Sequence, residues 1–271
     1  MLRRHDIQPW RNGVTLHHLE RTTSTMDVAR ELAAKGAPSF TIVVADVQEK
    51  GRGRTSGRIW VAKPGESLLC TVLIRYPAFS AIPKAVSLRA GLAAAQAIED
   101  VDPSLAGHVF VKWPNDVLIS TATSLEDEPA TTRKICGVLC ESDGKAVYIG
   151  MGINLSQSDF PPELSAKATS FRMETGHSPD RFDLLDKFIL LLRSILNDQS
   201  DAWRDELDRR LFFKNRRVRF EAGTAGSALV SEGVLAGIAE DGALLIIEDG
   251  KEKPSAYANG ELLVYGQPSQ G

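Results

Sequence analysis

Residues 48–60 read QEKGRGRTSGRIW, a loop rich in glycine and arginine between two β-rich runs at residues 41–47 and 67–75. Glycine lets backbone N–H groups approach a bound molecule, and arginine binds phosphate or carboxylate through two parallel hydrogen bonds. The segment therefore predicts an anion-binding loop held between two strands. Composition alone leaves two alternatives open, a solvated hairpin tip and an RNA-contacting segment.

The chain on either side of this loop mixes helical and strand patterns up to about residue 213. The residues before 24 are predicted to be irregular. Helices are predicted at residues 24–35, 85–99, 182–196 and 201–211. Further short strands are predicted at residues 109–113, 117–120, 135–141 and 146–151, and Asp143-Gly144 is a hairpin turn signal between the last two. These patterns predict a large α+β domain over residues 1–213.

The pattern changes after residue 213 to brief strands separated by glycines. Strands are predicted at residues 216–221, 228–238, 243–248 and 261–265. Closely spaced short strands with turn residues between them are typical of small β-barrels. We therefore expect a second domain, a small barrel, over residues 214–271.

The composition is that of an ordinary globular protein. The chain has 271 residues, of which 43% are hydrophobic and 25% charged, and its formal net charge is −3. This balance excludes a disordered or fibrous protein and disfavours binding of nucleic acid through overall charge. No apolar run reaches the roughly 18 residues of a membrane span, and the N-terminus does not resemble a secretory signal. We expect a cytoplasmic protein with no membrane partner.

Common catalytic templates are missing. The sequence has no GxxxxGK[ST] phosphate loop, no GxSxG elbow and no HExxH motif. Gly51, Gly53 and Gly57 are spaced one residue too far for the dinucleotide fingerprint, and a strand-like run follows them instead of a helix. Three cysteines at positions 70, 136 and 140 fit neither a disulfide framework nor a two-cysteine metal site.

Three further segments place polar groups at strand ends. Residues 112–116 read KWPND, a strand followed by a proline turn that presents an amide and a carboxylate. Lys134 opens an apolar run, and residues 150–154 read GMGIN, with small residues and an amide at the strand end. A carboxylate beside a phosphate-binding loop can hold Mg²⁺ or a ribose hydroxyl. Each segment, taken alone, is also explained by a plain turn or by packing.

Taken in order, five segments resemble the biotin protein ligase family, also called biotin–[acetyl-CoA-carboxylase] ligases. They are TSTMD at residues 23–27, GRGRTSGRIW, KWPND, KICG at residues 134–137 and GMGIN. The resemblance implies a central mixed sheet with helices, related to class II aminoacyl-tRNA synthetases, followed by an SH3-like barrel. Because only about 20 residues precede the first motif, we expect the monofunctional type without an N-terminal DNA-binding domain.

The family resemblance also implies a reaction and its partners. Biotin would be activated by Mg²⁺ and ATP as biotinyl-5′-AMP, with release of pyrophosphate. A lysine of a biotin carboxyl carrier domain would then accept the biotinyl group, with release of AMP. The resemblance implies no DNA partner and is compatible with a monomer or a homodimer.

The resemblance assigns site residues in overlapping groups. Those expected to bind biotin are Ser24, Thr25, Gln48, Gly51, Arg52, Lys134 and Gly137. Those expected to bind ATP or the adenylate are Gly53, Arg54, Arg58, Trp60, Lys112, Asn115, Asp116 and Asn154. Lys134, Arg54 and Arg52 are expected to act in catalysis, and Asp116 to hold Mg²⁺. From the residue pattern alone, Trp60 is expected to pack in the core.

The sequence departs from the family pattern at three places. Thr55 and Ser56 add one residue between GRGR and the following Gly-Arg pair, Met26 replaces a common asparagine, and residues 121–132 form a polar, acidic insert that predicts a loop. Two other functions stay open: a lipoate–protein ligase, which shares the fold but has a different glycine-rich loop, and a non-catalytic sensor of biotin or nucleotide. The net charge disfavours an RNA-contacting protein.

Overall fold

A computed structural model describes residues 5–54, 60, 62–121, 132–223 and 229–263. Its larger unit contains eight strands within these ranges: β1 (His5–Pro9), β2 (Thr15–Thr22), β3 (Thr41–Gln48), β4 (Ser67–Arg75), β5 (Val109–Lys112), β6 (Asp116–Ser120), β7 (Thr132–Ser142) and β8 (Ala146–Asn154). The described helices are α1 (Thr25–Ala34), α2 (Val86–Val101), α3 (Pro162–Ser165), α4 (Phe171–Thr175), α5 (Arg181–Asn197) and α6 (Ala202–Arg210).

The eight strands form one mixed sheet in the order β1-β2-β3-β4-β8-β7-β6-β5. Among the described strands, β2 and β3 pair in parallel and the other neighbours are antiparallel. The central strand β4 reads SLLCTVLIR and is buried from Ser67 to Ile74, because both faces of the sheet are covered there. The expected α+β architecture with a large mixed sheet is confirmed.

Helices cover the two faces of this sheet unequally. On one face, α2 and α5 pack together over a broad apolar layer. On the other face, α1 buries Met26 and Ala29 against Leu19, Val43 and Tyr148. Helix α1 covers only part of this second face, and a cavity lies beside it.

The N-terminal segment corrects one prediction. Residues predicted to be irregular form β1 and β2, and Leu16 and Leu19 of β2 are fully buried. The sequence TLHHLERT hides this strand because two histidines interrupt its apolar positions, and His17 is itself buried. The four predicted helices and the hairpin at Asp143-Gly144 are confirmed, with small shifts at their ends.

The smaller unit is an antiparallel sheet that packs beside the larger one. Its described strands are β9 (Arg217–Ala222), β10 (Leu229–Ile238), β11 (Leu244–Glu248), β12 (Ser255–Tyr257) and β13 (Gly260–Leu263), in the order β12-β11-β10-β9-β13. The three-residue strand β12 was not predicted, since it is too short to show a pattern. No described helix has the length and apolar character that a membrane crossing requires.

Contacts around Trp113 join the two units. The indole nitrogen of Trp113 donates a hydrogen bond to the Gly242 carbonyl over 3.0 Å, and the ring meets Phe220 edge-on with centroids 5.8 Å apart. Nearby, Lys84 and Glu240 form an ion pair at 2.7 Å. The small sheet is therefore anchored beside residues 112–116.

We expect Gly242→Ala to destabilise the protein more than Gly250→Ala. Both glycines have positive φ, +91° and +78°, so alanine strains the backbone by about 1 kcal/mol at either position. At Gly242 an added Cβ would also lie 2.8 Å from the Ala85 Cβ, whereas nothing lies within 4 Å at Gly250. Overpacking adds roughly 1–3 kcal/mol. Equal free energies of unfolding for the two variants, measured with denaturant, would contradict this account of the contact.

Candidate functional site

A cavity of about 720 Å³ lies on the α1 face of the large sheet. It is lined by most of the residues that the sequence singled out: Ser24, Thr25, Gln48, Arg52, Gly53, Arg54, Trp60, Lys112, Asn115, Asp116, Lys134, Gly137 and Asn154. Gly51 lies just behind this lining, where an added Cβ would sit 3.2 Å from the Trp60 Cβ. Arg58 and residues 122–131 of the predicted insert lie outside the described residues.

Part of the cavity wall is a cluster of hydrogen-bonded polar side chains. The Gln48 side-chain oxygen accepts from the Thr25 backbone N–H over 2.7 Å and from the Thr25 hydroxyl over 3.0 Å. The same hydroxyl lies 2.8 Å from the Thr71 hydroxyl. Ser24 caps α1, because its hydroxyl accepts from the Met26 N–H. These contacts fix Gln48 and leave its amide nitrogen as a donor for a bound molecule.

Trp60 packs on a stripe of glycines at the middle of the cavity. A Cβ on Gly152 would lie 2.8 Å from the indole ring, and one on Gly137 would lie 3.1 Å from it. The indole nitrogen of Trp60 is buried and has no hydrogen-bond partner among the described residues. Trp60 therefore lies at the cavity wall, which corrects the expectation from residue pattern alone that it packs in the core.

Lys134 brings a fixed positive charge to the cavity. Its ammonium lies 2.6 Å from the Asp116 carboxylate and 5.7 Å from the centroid of the Trp60 ring. Its backbone is held on both sides, since its N–H donates to the Lys167 carbonyl and its carbonyl accepts from Thr169. The side chain is 35% exposed, so a ligand in the cavity can reach it.

The two arginines of the glycine-rich loop are each held by a different element. Arg52 donates to the Asp27 carboxylate in the first turn of α1 over 2.5 Å. Arg54 donates to the Gly260 carbonyl of the small sheet over 3.0 Å. Glu261 and Leu262 also line the cavity. The sequence gives no signal for this contribution, because nothing in the pattern of short strands indicates which of them faces the site.

Two amides predicted to bind nucleotide are engaged with the protein itself. The Asn115 side chain donates to the Val138 carbonyl over 2.8 Å, and its backbone carbonyl accepts from the Val138 N–H. Asn154 is buried, donates to the Thr169 carbonyl over 2.9 Å and accepts from Gln157 over 3.1 Å. Both amides border the cavity, and the structure gives each a role in holding the strands around it.

The described residues form no metal site from protein side chains alone. They contain no group of three or more His, Cys, Asp or Glu side chains that could hold one. The Asp116 carboxylate, the predicted Mg²⁺ ligand, is paired with Lys134 instead. Burial raises the pKa of the Cys70 thiol to about 12 and raises that of Cys136 as well, so neither thiol ionises readily as a metal ligand.

The arrangement suits a molecule with a polar head, an apolar body and an anionic end. The Thr25–Gln48 cluster offers polar groups, the glycine stripe and Trp60 offer an apolar surface, and Arg52, Arg54 and Lys134 offer cations. Fixed cations in a cavity attract phosphate and carboxylate groups and stabilise negative charge that develops there.

Comparison with known proteins identifies the family. The model described as the biotin/lipoate A/B protein ligase family matches residues 18–155, just over half of the chain. The chain belongs to this family. The matched residues run from β2 to the end of β8 and include the loop, KWPND and Lys134.

Individual members of the family align over most of the chain. The biotin–[acetyl-CoA-carboxylase] ligase of Paracoccus denitrificans is 30% identical over 244 residues, which are 84% of this chain and 92% of the relative. The bifunctional ligase/repressor BirA of Bacillus subtilis is 34% identical over 194 residues, 69% of this chain and 55% of the relative. The chain thus spans about half the length of the BirA relatives from Bacillus that it matches.

The fold agrees with solved structures of the family. A biotin protein ligase from Aquifex aeolicus in complex with biotin and ATP superimposes with a TM-score of 0.73 at 25% identity, covering 93% of this chain and 98% of the other. A biotin protein ligase from Leishmania major in complex with biotin gives a TM-score of 0.60 at 25% identity and covers 90% of this chain. The similarity therefore includes the small sheet.

We expect Gly152→Ala to displace the Trp60 ring, because the new methyl group would overlap a rigid indole. Gly150→Ala is the matched control on the same strand, since its Cβ would lie 2.9 Å from the flexible end of Met26 and no closer than 3.4 Å to any other atom. The expected result is a change of intrinsic tryptophan fluorescence in Gly152→Ala that is absent from Gly150→Ala and lost when Trp60→Phe is added. A spectrum unchanged by Gly152→Ala would show that Trp60 does not pack on this glycine.

Proposed function

We propose that this chain is an ATP-dependent ligase that activates biotin as biotinyl-5′-AMP and transfers it to a lysine of a biotin carboxyl carrier domain. The observation that carries the proposal is that Arg52, Arg54 and Lys134 line the same cavity as the Thr25–Gln48 polar cluster. The names of the Paracoccus relative and the Aquifex complex with biotin and ATP support the same substrates. Biotin has a polar ureido head, an apolar ring and chain, and a carboxylate, and the cavity wall offers polar, apolar and cationic groups that suit each part.

In the first step, a biotin carboxylate oxygen attacks the α-phosphorus of ATP. A bond forms between that oxygen and phosphorus, and the bond to pyrophosphate breaks. The approach of a carboxylate to a triphosphate is electrostatically unfavourable, so cations fixed beforehand lower the barrier. Lys134 and the two loop arginines supply that charge. Mg²⁺ arrives with ATP as part of the substrate, and we propose that Asp116 orients Lys134.

In the second step, the neutral amine of the acceptor lysine attacks the acyl carbon of biotinyl-5′-AMP. A C–N bond forms, the bond from the acyl carbon to the phosphate oxygen breaks, and AMP leaves while the amine loses a proton. The mixed anhydride is labile in water, so the enzyme must hold and cover it until the acceptor arrives. A glycine-rich loop carrying Arg52 and Arg54 is suited to this role.

The roles of the remaining site residues follow from their places in the cavity. We infer that Ser24, Thr25 and Gln48 bind the ureido head, and that Gly51, Gly53 and Gly137 allow close approach of backbone and ligand. The nucleotide would lie towards the side lined by Trp60, Lys112, Asn115, Asp116 and Asn154.

The domain division predicted at residue 213 remains part of the proposal. It is supported by the change from α6 to a run of antiparallel strands that begins at Arg217. We propose that residues 214–271 form an SH3-like barrel and that it helps to hold the arginine loop, because Gly260 contacts Arg54. Consumption of ATP agrees with a cytoplasmic location, and we propose no DNA or membrane partner.

The experiment that tests the proposed function is mass spectrometry of the purified protein mixed with Mg·ATP and either biotin or lipoate. Biotinyl-5′-AMP formed from biotin alone is the expected result. Lipoyl-5′-AMP would assign the chain to the lipoate branch of the family instead. No adenylate with either acid would contradict the ligase and favour a sensor of biotin or nucleotide.

We expect Lys134→Gln to lower the rate of adenylate formation about 100- to 1,000-fold, because it removes a charge that stabilises the transition state. The measurement is biotin-dependent release of pyrophosphate. Lys145→Gln, in the exposed β7–β8 turn, is the matched control and should leave the rate unchanged. A rate in Lys134→Gln within threefold of the wild type would show that Lys134 does not stabilise the transition state.

We expect Arg54→Ala mainly to loosen retention of the adenylate. The guanidinium forms charge-assisted hydrogen bonds to phosphate, and their loss should speed dissociation of biotinyl-5′-AMP by about 10- to 100-fold. The rate is measured by dilution of the preformed complex into unlabelled adenylate. An unchanged dissociation rate would contradict a role for Arg54 in retaining the adenylate.

A further inference from the structure

We propose that Asp27 is a positioning residue that holds Arg52 in the orientation that binds the ligand anion. This inference rests on the proposed function and assigns a role to a residue outside the predicted site. Asp27 itself does not line the cavity. It reaches the site through Arg52, whose terminal nitrogen donates to its carboxylate over 2.5 Å.

Asp27 lies on a rigid element, whereas Arg52 lies on a glycine-rich loop. Asp27 is in the first turn of α1, and the neighbouring Met26 and Ala29 are buried against the sheet. Negative charge is favoured at this position because the N-terminus of a helix carries partial positive charge. An arginine that pairs with such a fixed carboxylate loses much of the freedom that glycines on both sides would give it.

The contact between Asp27 and Arg52 continues a series of bonds that ties the base of the loop to the segment before α1. The Glu49 N–H donates to the Thr22 carbonyl and the Lys50 N–H to the Thr23 carbonyl, each over 2.9 Å. Gln48 is fixed by Thr25. The backbone contacts stop at Lys50, so the Asp27 carboxylate extends the attachment by two residues to Arg52.

The geometry leaves Arg52 able to bind an anion while Asp27 holds it. A guanidinium has five N–H donors in a flat fork, and the Asp27 contact is made by one terminal nitrogen. No other hydrogen bond of Arg52 is formed within the described residues. Arg52 lines the cavity together with Gly53 and Arg54, and its side chain is 43% exposed, so an anion in the cavity can reach the remaining donors. A carboxylate that orients a binding group in this way reduces the ordering cost of ligand binding.

The test compares Asp27→Asn with Glu49→Gln. Glu49 forms a similar exposed pair with Arg21 at 3.6 Å, close by in the chain, and neither of those residues lines the cavity. The two pairs are matched in exposure, 43% and 45% for Arg52 and Asp27 against 55% and 50% for Arg21 and Glu49. Exposed pairs contribute little to stability, so Glu49→Gln should unfold at the wild-type denaturant concentration, and Asp27→Asn should lose at most about 1 kcal/mol with the charge at the helix N-terminus.

We expect Asp27→Asn to speed dissociation of biotinyl-5′-AMP by about 3- to 10-fold and Glu49→Gln to leave it within twofold of the wild type. In an Arg52→Ala background, Asp27→Asn should have no further effect, because Asp27 acts through Arg52. Slower dissociation in Asp27→Asn would overturn the inference, since it would mean that Asp27 competes with the ligand for Arg52. Equal effects of the two variants, or an added effect in the Arg52→Ala background, would also overturn it.

The outcome for Asp27 can be separated from the outcome for the proposed function. If the wild type forms no adenylate from biotin or lipoate, the ligase proposal fails. Calorimetric binding of Mg·ATP then decides the role of Asp27, with weaker binding in Asp27→Asn but not in Glu49→Gln as the expected result. Equal binding by both variants would overturn the positioning role independently of any reaction.

Discussion

The concentration of positive charge on one face of the large sheet is the constraint on which the site depends. Arg52, Arg54 and Lys134 face the same cavity, and like charges in a partly enclosed space repel one another. Each is held by an acceptor from a different element: Asp27 of α1, the Gly260 carbonyl of β13 and Asp116 of β6. The helix, the small sheet and the edge of the large sheet thus all take part in keeping these cations in place before a ligand arrives.

This arrangement links packing to chemistry. Helix α1 leaves room for the cavity, and Gly137 of β7 and Gly152 of β8 leave room for Trp60. A side chain at either glycine would displace the indole or Lys134. The small sheet contacts the large one at Trp113 and reaches the loop at Gly260, and both of these contacts lie beside the cavity. A change in the packing between the two units would therefore displace residues that line the cavity.

Much of this organisation could be predicted from the sequence. Helical periodicity predicted α1, α2, α5 and α6, and the Asp-Gly signal predicted the β7–β8 hairpin, because these signals are local. Motif order predicted a set of site residues, most of which line the cavity. The strand β2 was missed because histidines occupy positions usually taken by aliphatic residues. The contacts of Arg54 with Gly260 and of Arg52 with Asp27 join residues far apart in the chain, and no local pattern encodes such pairs.

The fate of one oxygen atom shows whether biotin is activated as an acyl-adenylate in this cavity. The protein is given Mg·ATP and biotin carrying ¹⁸O in both carboxylate oxygens, and hydroxylamine is added as a small acceptor that attacks the acyl carbon. If the carboxylate attacks the α-phosphorus in this cavity, the bridging oxygen leaves with the phosphate, and the AMP released carries one ¹⁸O. Unlabelled AMP, formed together with the biotin hydroxamate, would contradict an acyl-adenylate and with it the role given to the three cations.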